Sequence, residues 1–116
     1  MAEIFPEVIL GLPRADIPLP GVRAFLSQGE DHQIIFMEFT VDAEVAEHAH
    51  AAQWGVVVAG RIDLVIGGRP HSFTRGDSYH IPAGVRHSAH IHAGYADMTF
   101  FAQRDRYRAR PPELPD

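Results

Sequence analysis

Apolar and polar residues alternate over short stretches of this chain, and the three-to-four spacing of an amphipathic helix is scarce. In "RIDLVIGG" (61–68), Ile62, Leu64 and Ile66 fall on one face of an extended chain, and Arg61, Asp63 and Val65 on the other. The pair Gly67-Gly68 then reads as a tight hairpin turn, with "RPHSFT" (69–74) returning as the partner strand. "HQIIFMEFTV" (32–41) is rich in branched and aromatic residues and suits a buried strand, and "WGVVVAG" (54–60) is another candidate. "SYHIP" stops at Pro82, as strands tend to, and "SAHIHAG" and "ADMTFFAQ" follow after further turns. The pattern predicts roughly eight to ten short strands and no long helix, hence an all-β barrel or two-sheet sandwich. "GLPRADIPLPGV" (11–22) is too rich in proline for either regular state and is expected to wrap the outside as an irregular arm.

A length of 116 residues suits a single domain, and no linker or internal repeat divides it. The expected organisation is an arm over about 1–21, a barrel over about 22–103 and a polar tail over about 104–116. The absence of cysteine excludes disulfides, thiolate metal sites and cysteine nucleophiles. No apolar run approaches the roughly 20 residues of a membrane helix, and the start lacks the basic and apolar regions of a secretory signal. The expectation is a cytoplasmic protein that does not engage membranes. A formal net charge of -5 argues against nucleic-acid binding. The arginines of "RDRYRAR" (104–110) lead into "PPELPD", which reads as a solvated, partly disordered terminus.

The chemistry concentrates in "EHAHAAQWG" (47–55). In a strand His48 and His50 share a face, with Ala49 behind them. If Ala51-Ala52 is a tight connection between antiparallel strands, His50 lies opposite Gln53 and His48 opposite Gly55, although Ala-Ala suits such turns poorly. A further ligand is available in "GDSYHIPAGVRHSAHI" (76–91), where His87 follows a Pro-Ala-Gly turn that reverses the chain.

These two stretches resemble the motifs of the cupins. His48-x-His50, then Gln53 and, after six intervening residues, Gly60 match the core of the first motif, and Gly76, Pro82, Gly84 and His87 match the second at its spacings. The 15 residues between Gly60 and Gly76 suit compact members, and the likeness spans about residues 42–91. It implies a small single-domain jelly-roll barrel, the cupin-type double-stranded β-helix, with a metal inside held by His48, His50, Gln53 and His87. It also implies a homodimer, for which "EIFPEVIL" (3–10) is apolar enough to cross onto a partner. Residues 42–47 lack the motif's glycine, Gln53 stands for its glutamate with only two residues between it and His50, and Ile91 replaces its terminal asparagine. A neutral amide in place of carboxylate leaves the charge of a divalent ion uncompensated, so the centre should attract an anionic or enolate ligand and act as a Lewis acid. In this it resembles the three-histidine iron sites of some cupin dioxygenases. Nitrogen and oxygen donors accept Fe, Mn, Ni, Co, Zn or Cu.

The expected activity is therefore metal-dependent oxidation or isomerisation of a small oxygenated metabolite, with a non-catalytic metal- or metabolite-sensing module as the alternative. The other histidines, His32, His71, His80, His90 and His92, are not expected to be ligands, and the inward position of His87 sends His90 and His92 outward. Trp54 takes the face opposite Gln53, Phe36, Met37, Phe100 and Phe101 belong to the core, and Glu38 is placed on an outward face.

Overall fold

A computed structural model describes residues 3–111. After a short helix, α1 (Glu7–Leu10), the chain runs through nine strands: β1 (Val22–Gln28), β2 (Gln33–Phe39), β3 (Ala43–His48), β4 (Gln53–Ala59), β5 (Arg61–Ile66), β6 (Arg69–Thr74), β7 (Ser78–Ile81), β8 (His87–Ile91) and β9 (Ala96–Phe101). They form two antiparallel sheets, one ordered β1-β2-β9-β4-β7 and the other β3-β8-β5-β6. The all-β architecture expected from the alternation is present, in jelly-roll style, but the two sheets face each other without closing into a continuous barrel.

The strands follow from their side-chain parity. On β2, Gln33, Ile35, Met37 and Phe39 are buried, while Ile34, Phe36 and Glu38 are half-buried on the other face. The inward set joins Leu26, Val57, Ile62, Leu64, Ile81 and others in one apolar core between the sheets. Glu38 faces outward as expected and pairs with Arg23 across the β1–β2 ladder. The Gly67-Gly68 turn is as read: Ile66 pairs with Arg69, and both glycines have positive φ, 55° and 80°, which the tight hairpin requires.

Both ends of the described chain pack on the sheets. Residues 3–10 lie on the chain's own five-stranded sheet, with Phe5 meeting Phe25 and Phe36 edge-on at 6.3 and 5.8 Å. Phe5, Phe25 and Ala96 thus make a second apolar cluster on that sheet's outer face, while Ile4 and Val8 of the arm remain exposed. Further along, Arg14 bridges to Phe25, so the proline-rich segment extends the free edge of β1 and covers it. The tail over 104–111 is mostly exposed, but it is tied to the sheets, with Arg106 and Tyr107 partly buried. Gln33 clamps Tyr107, donating to its carbonyl at 2.8 Å and accepting from its N–H at 3.0 Å, and Ala109 bridges to Ala15. A buried glutamine needs partners, and this stretch of backbone supplies them. Residues 112–116 of the expected tail lie outside the described residues. Phe101 and Met37 are core residues as expected, but Phe100 is 39% exposed, with His32 stacked on it at 5.0 Å.

Candidate metal centre

His48 closes β3 and His87 opens β8, and the two are register partners. The ladder runs from Val45↔Ala89 to His48↔His87, three steps on β3 against two on β8. That extra residue is a β-bulge, and it turns His48 to the face that Val45 already occupies, into the space between the sheets. His50 follows on a crossover segment, not on a hairpin. The expected two-residue turn at Ala51-Ala52 is absent: β3 and β4 lie in different sheets, and Gln53 pairs with Ile81 and Phe101. The tight hairpin turns need positive φ, which no non-glycine residue among those described adopts. The second motif holds the crossover in place. Its Pro-Ala-Gly turn has Gly84 at φ 77°, and the Gly84 N–H donates to the His50 carbonyl at 2.9 Å.

The three imidazoles converge. Ring centroids are 4.2 Å apart for His48–His87, 4.7 Å for His50–His87 and 5.1 Å for His48–His50. One nitrogen from each lies within 4.8 Å of the others. Each ring is oriented through its far nitrogen: Nδ1 of His48, His50 and His87 donates to the carbonyls of Ala46, Ala51 and Val85 at 2.8, 2.7 and 2.9 Å. A carbonyl only accepts, so these bonds place the proton of each neutral ring on Nδ1 and leave Nε2 as a lone pair. His50 Nε2 and His87 Nε2 are 3.1 Å apart. Two lone pairs at that separation repel unless a cation lies between them. Protonation is disfavoured, since burial lowers His50 to a pKa of about 4 and lowers His87 as well. Three converging imidazoles with outward-locked Nδ1–H groups suit a divalent transition metal. Gln53 lines the same cavity from the opposite sheet, buried at 9% exposure.

Two further features escaped the sequence reading. Arg106, from the tail, lines the cavity with Nη2 3.4 Å from His48 Nε2, and its guanidinium lies 4.5 Å over the Tyr107 ring. Its Nε is buried and has no partner. Asp97, on β9, is 1% exposed and also lines the cavity. Its Oδ2 accepts from Tyr95 Oη at 2.5 Å and from Tyr79 Oη at 3.0 Å, while Oδ1 has no partner. Burial pushes Asp97 up to about 6 against the opposing effect of those hydroxyls, and burial also raises both tyrosines, which stay neutral donors. Gly55 makes this possible, because a Cβ there would sit 2.4 Å from the Tyr79 ring. The signal for Asp97 was its parity with Thr99 and Phe101 on the inward face of "ADMTFF". Arg106 had no comparable signal beyond lying beside a tyrosine in an alternating run.

The remaining histidines lie outside the centre, as expected. His90 pairs with Glu44 and His92 donates to Asp63 at 2.7 Å on the outer face of the four-stranded sheet. His80 is exposed on β7 opposite Trp54, which is itself 43% exposed and faces away from Gln53.

Comparison with known proteins fits this geometry. The family model described as "Cupin domain" matches residues 35–102. The chain belongs to the cupin family. Among solved structures, an RmlC-like cupin from Shewanella frigidimarina superposes with a TM-score of 0.74 at 24% identity, over 90% of this chain and 95% of that one. KdgF from a Halomonas species gives 0.67 at 22% identity, over 78% and 87%. Oxalate decarboxylase of Bacillus subtilis, a protein with Mn(II) centres, gives 0.68 at 19% identity, over 84% of this chain and 29% of that one. Identities this low speak for the shared cupin fold. A search of curated protein sequences found no match. No helix among the described residues is long and apolar enough to cross a membrane.

Proposed function

We propose that this cupin is a divalent-metal enzyme acting on a small oxygenated anion. The observation that carries the reading is the convergence of three Nε2 lone pairs from rings locked by their own backbone carbonyls. His48, His50 and His87 hold the ion in this reading, and Gln53 coordinates it or binds a water beside it. The ion, one of Fe, Mn, Ni, Co, Zn or Cu, supplies Lewis acidity toward an enolate, diketone or hydroxy acid in an oxidation or an isomerisation. Arg106 adds to the positive charge that neutral Gln53 leaves uncompensated, which favours an anionic ligand. Its guanidinium, half-buried beside the imidazoles, binds the anionic oxygen of the substrate and orients it. The apolar walls, including Phe101 at 5.5 Å from the His50 ring, exclude bulk water from that contact. The reading includes a cytoplasmic homodimer joined through the exposed outer sheet, where Trp54 and Phe100 are neighbours; a monomeric mass in solution rules the dimer out.

The test is reconstitution with each metal in turn, followed by oxygen-uptake and proton-NMR assays on keto acids, diketones and hydroxy acids. Turnover that needs both metal and His87 supports the enzyme. Bound metal with substrate binding but no conversion moves the protein to the alternative, a non-catalytic metabolite-sensing module. Absence of metal binding refutes the enzyme and favours a metabolite-binding module.

A further inference from the structure

The cavity has a second polar feature remote from the imidazoles. Asp97 lies four residues from Phe101 along β9, about 13 Å at the rise of an extended strand, while His50 packs on Phe101 itself. Both positions line one cavity, and the wall between the sheets is apolar, with Met37, Leu64, Ala89 and Ile91 facing in. The cavity is small, about 70 Å³. Asp97 is among the lining residues, and its Oδ1 is buried with no partner, although Oδ2 is doubly bonded by tyrosine hydroxyls. A buried carboxyl oxygen without a partner is costly unless a donor meets it. Burial also disfavours a full charge there, so a neutral hydroxyl, which can accept from the acid or donate to the carboxylate, fits better than an ammonium group.

Resting on the reading of the metal centre above, we propose that Asp97 is a ligand-recognition residue and that the ligand is a slender, unbranched carboxylate carrying a hydroxyl at its far end. The carboxylate meets Arg106 at the centre, the methylene chain lies along the apolar wall, and the terminal hydroxyl bonds Asp97 Oδ1. Tyr79 and Tyr95 hold the Asp97 carboxyl in position by fixing its other oxygen.

The experiment uses the full chain loaded with zinc, which is redox-inert, so that binding is read without turnover. Straight-chain carboxylates of four to eight carbons, each with and without a terminal hydroxyl, are titrated by calorimetry and by amide NMR. The expected result is one chain length at which the hydroxy acid binds about tenfold tighter or more than its unsubstituted counterpart, with shifts at the Asp97 and Thr99 amides. Asp97→Leu should erase that ratio, and Arg106→Met should weaken both members of the pair together. A ratio near one at every length, or a preference that survives Asp97→Leu, overturns the proposal. If Asp97→Leu does not fold, the wild-type ratio and the location of the amide shifts decide. The two readings fail separately. Acids that bind through zinc and Arg106 without a hydroxyl preference leave the metal centre standing and remove this inference. Acids whose binding ignores zinc and Arg106 remove the reading of the centre itself.

Discussion

Replacing Asp97 by Asn should change stability in a way that depends on pH. The side chain is buried, and the ionisable groups bonded to it are Tyr79 from β7 and Tyr95, both held neutral. Its pKa is raised from an ordinary 3.8 to about 6. The folded protein therefore binds more protons than the unfolded chain between pH 4 and 6, and stability falls as pH rises through that window. Below it both states are protonated and the cost vanishes; above it the cost is constant. At 1.36 kcal/mol per pH unit, the displacement corresponds to about 3 kcal/mol at neutral pH. Asparagine keeps an oxygen for the two tyrosines and does not ionise, so it escapes this cost. It leaves an unpartnered amide N–H in place of an unpartnered oxygen, and that penalty is independent of pH. The quantity to follow is thus the difference between the proteins. Urea unfolding of metal-free wild type and Asp97→Asn from pH 4 to 8 should show the variant gaining about 3 kcal/mol on the wild type, most of it between pH 4 and 6. For a slope near 1.5 kcal/mol per molar, that is about 2 M in midpoint. A difference that does not change with pH would refute the reasoning, because it would mean that Asp97 ionises as readily folded as unfolded.

Three other outcomes follow from the packing. Phe5→Ala should cost about 3 kcal/mol or more, measured by denaturant unfolding, while leaving metal affinity unchanged, because it empties the cluster outside the five-stranded sheet. Gly55→Ala should destabilise by about 1–3 kcal/mol and disturb the near-ultraviolet circular dichroism of tyrosine, since the new methyl meets the Tyr79 ring. Gln33→Leu should release the tail, seen as rapid tryptic cleavage after Arg104, Arg106 or Arg108 in a protein whose core still resists.

What could be read from the sequence was whatever depends on parity and on obligatory turn residues. Alternation in "RIDLVIGG" identified both the strand and its turn, because Gly67-Gly68 is a local solution to a local constraint. The inward set of β8 followed from one residue, His87, once the strand was recognised. The route taken by residues 49–52 was not legible. A hairpin and a crossover between facing sheets both bring Gln53 near His50, and the choice rests on long-range pairing of β4 with β9 and β7. The bulge in β3 was hidden for a related reason: it appears only against the ladder of β8. Arg106 and Tyr107 were assigned to solvent because arginine-rich termini usually are solvated, whereas here buried Gln33 binds the tail backbone and draws the guanidinium over the cavity. Asp97 was legible in principle. The parity argument that placed Glu38 outward would have placed Asp97 inward beside Thr99.

The most direct test of the central claim is calorimetric titration of metal-free protein with zinc, beside a His48→Ala, His50→Ala double variant whose fold is checked by circular dichroism. One equivalent bound by the wild type, with affinity reduced by more than about a hundredfold in the variant, is the expected result. Equal affinity in the two proteins, or no uptake by the wild type, would contradict it and leave the three converging imidazoles without a metal to explain them.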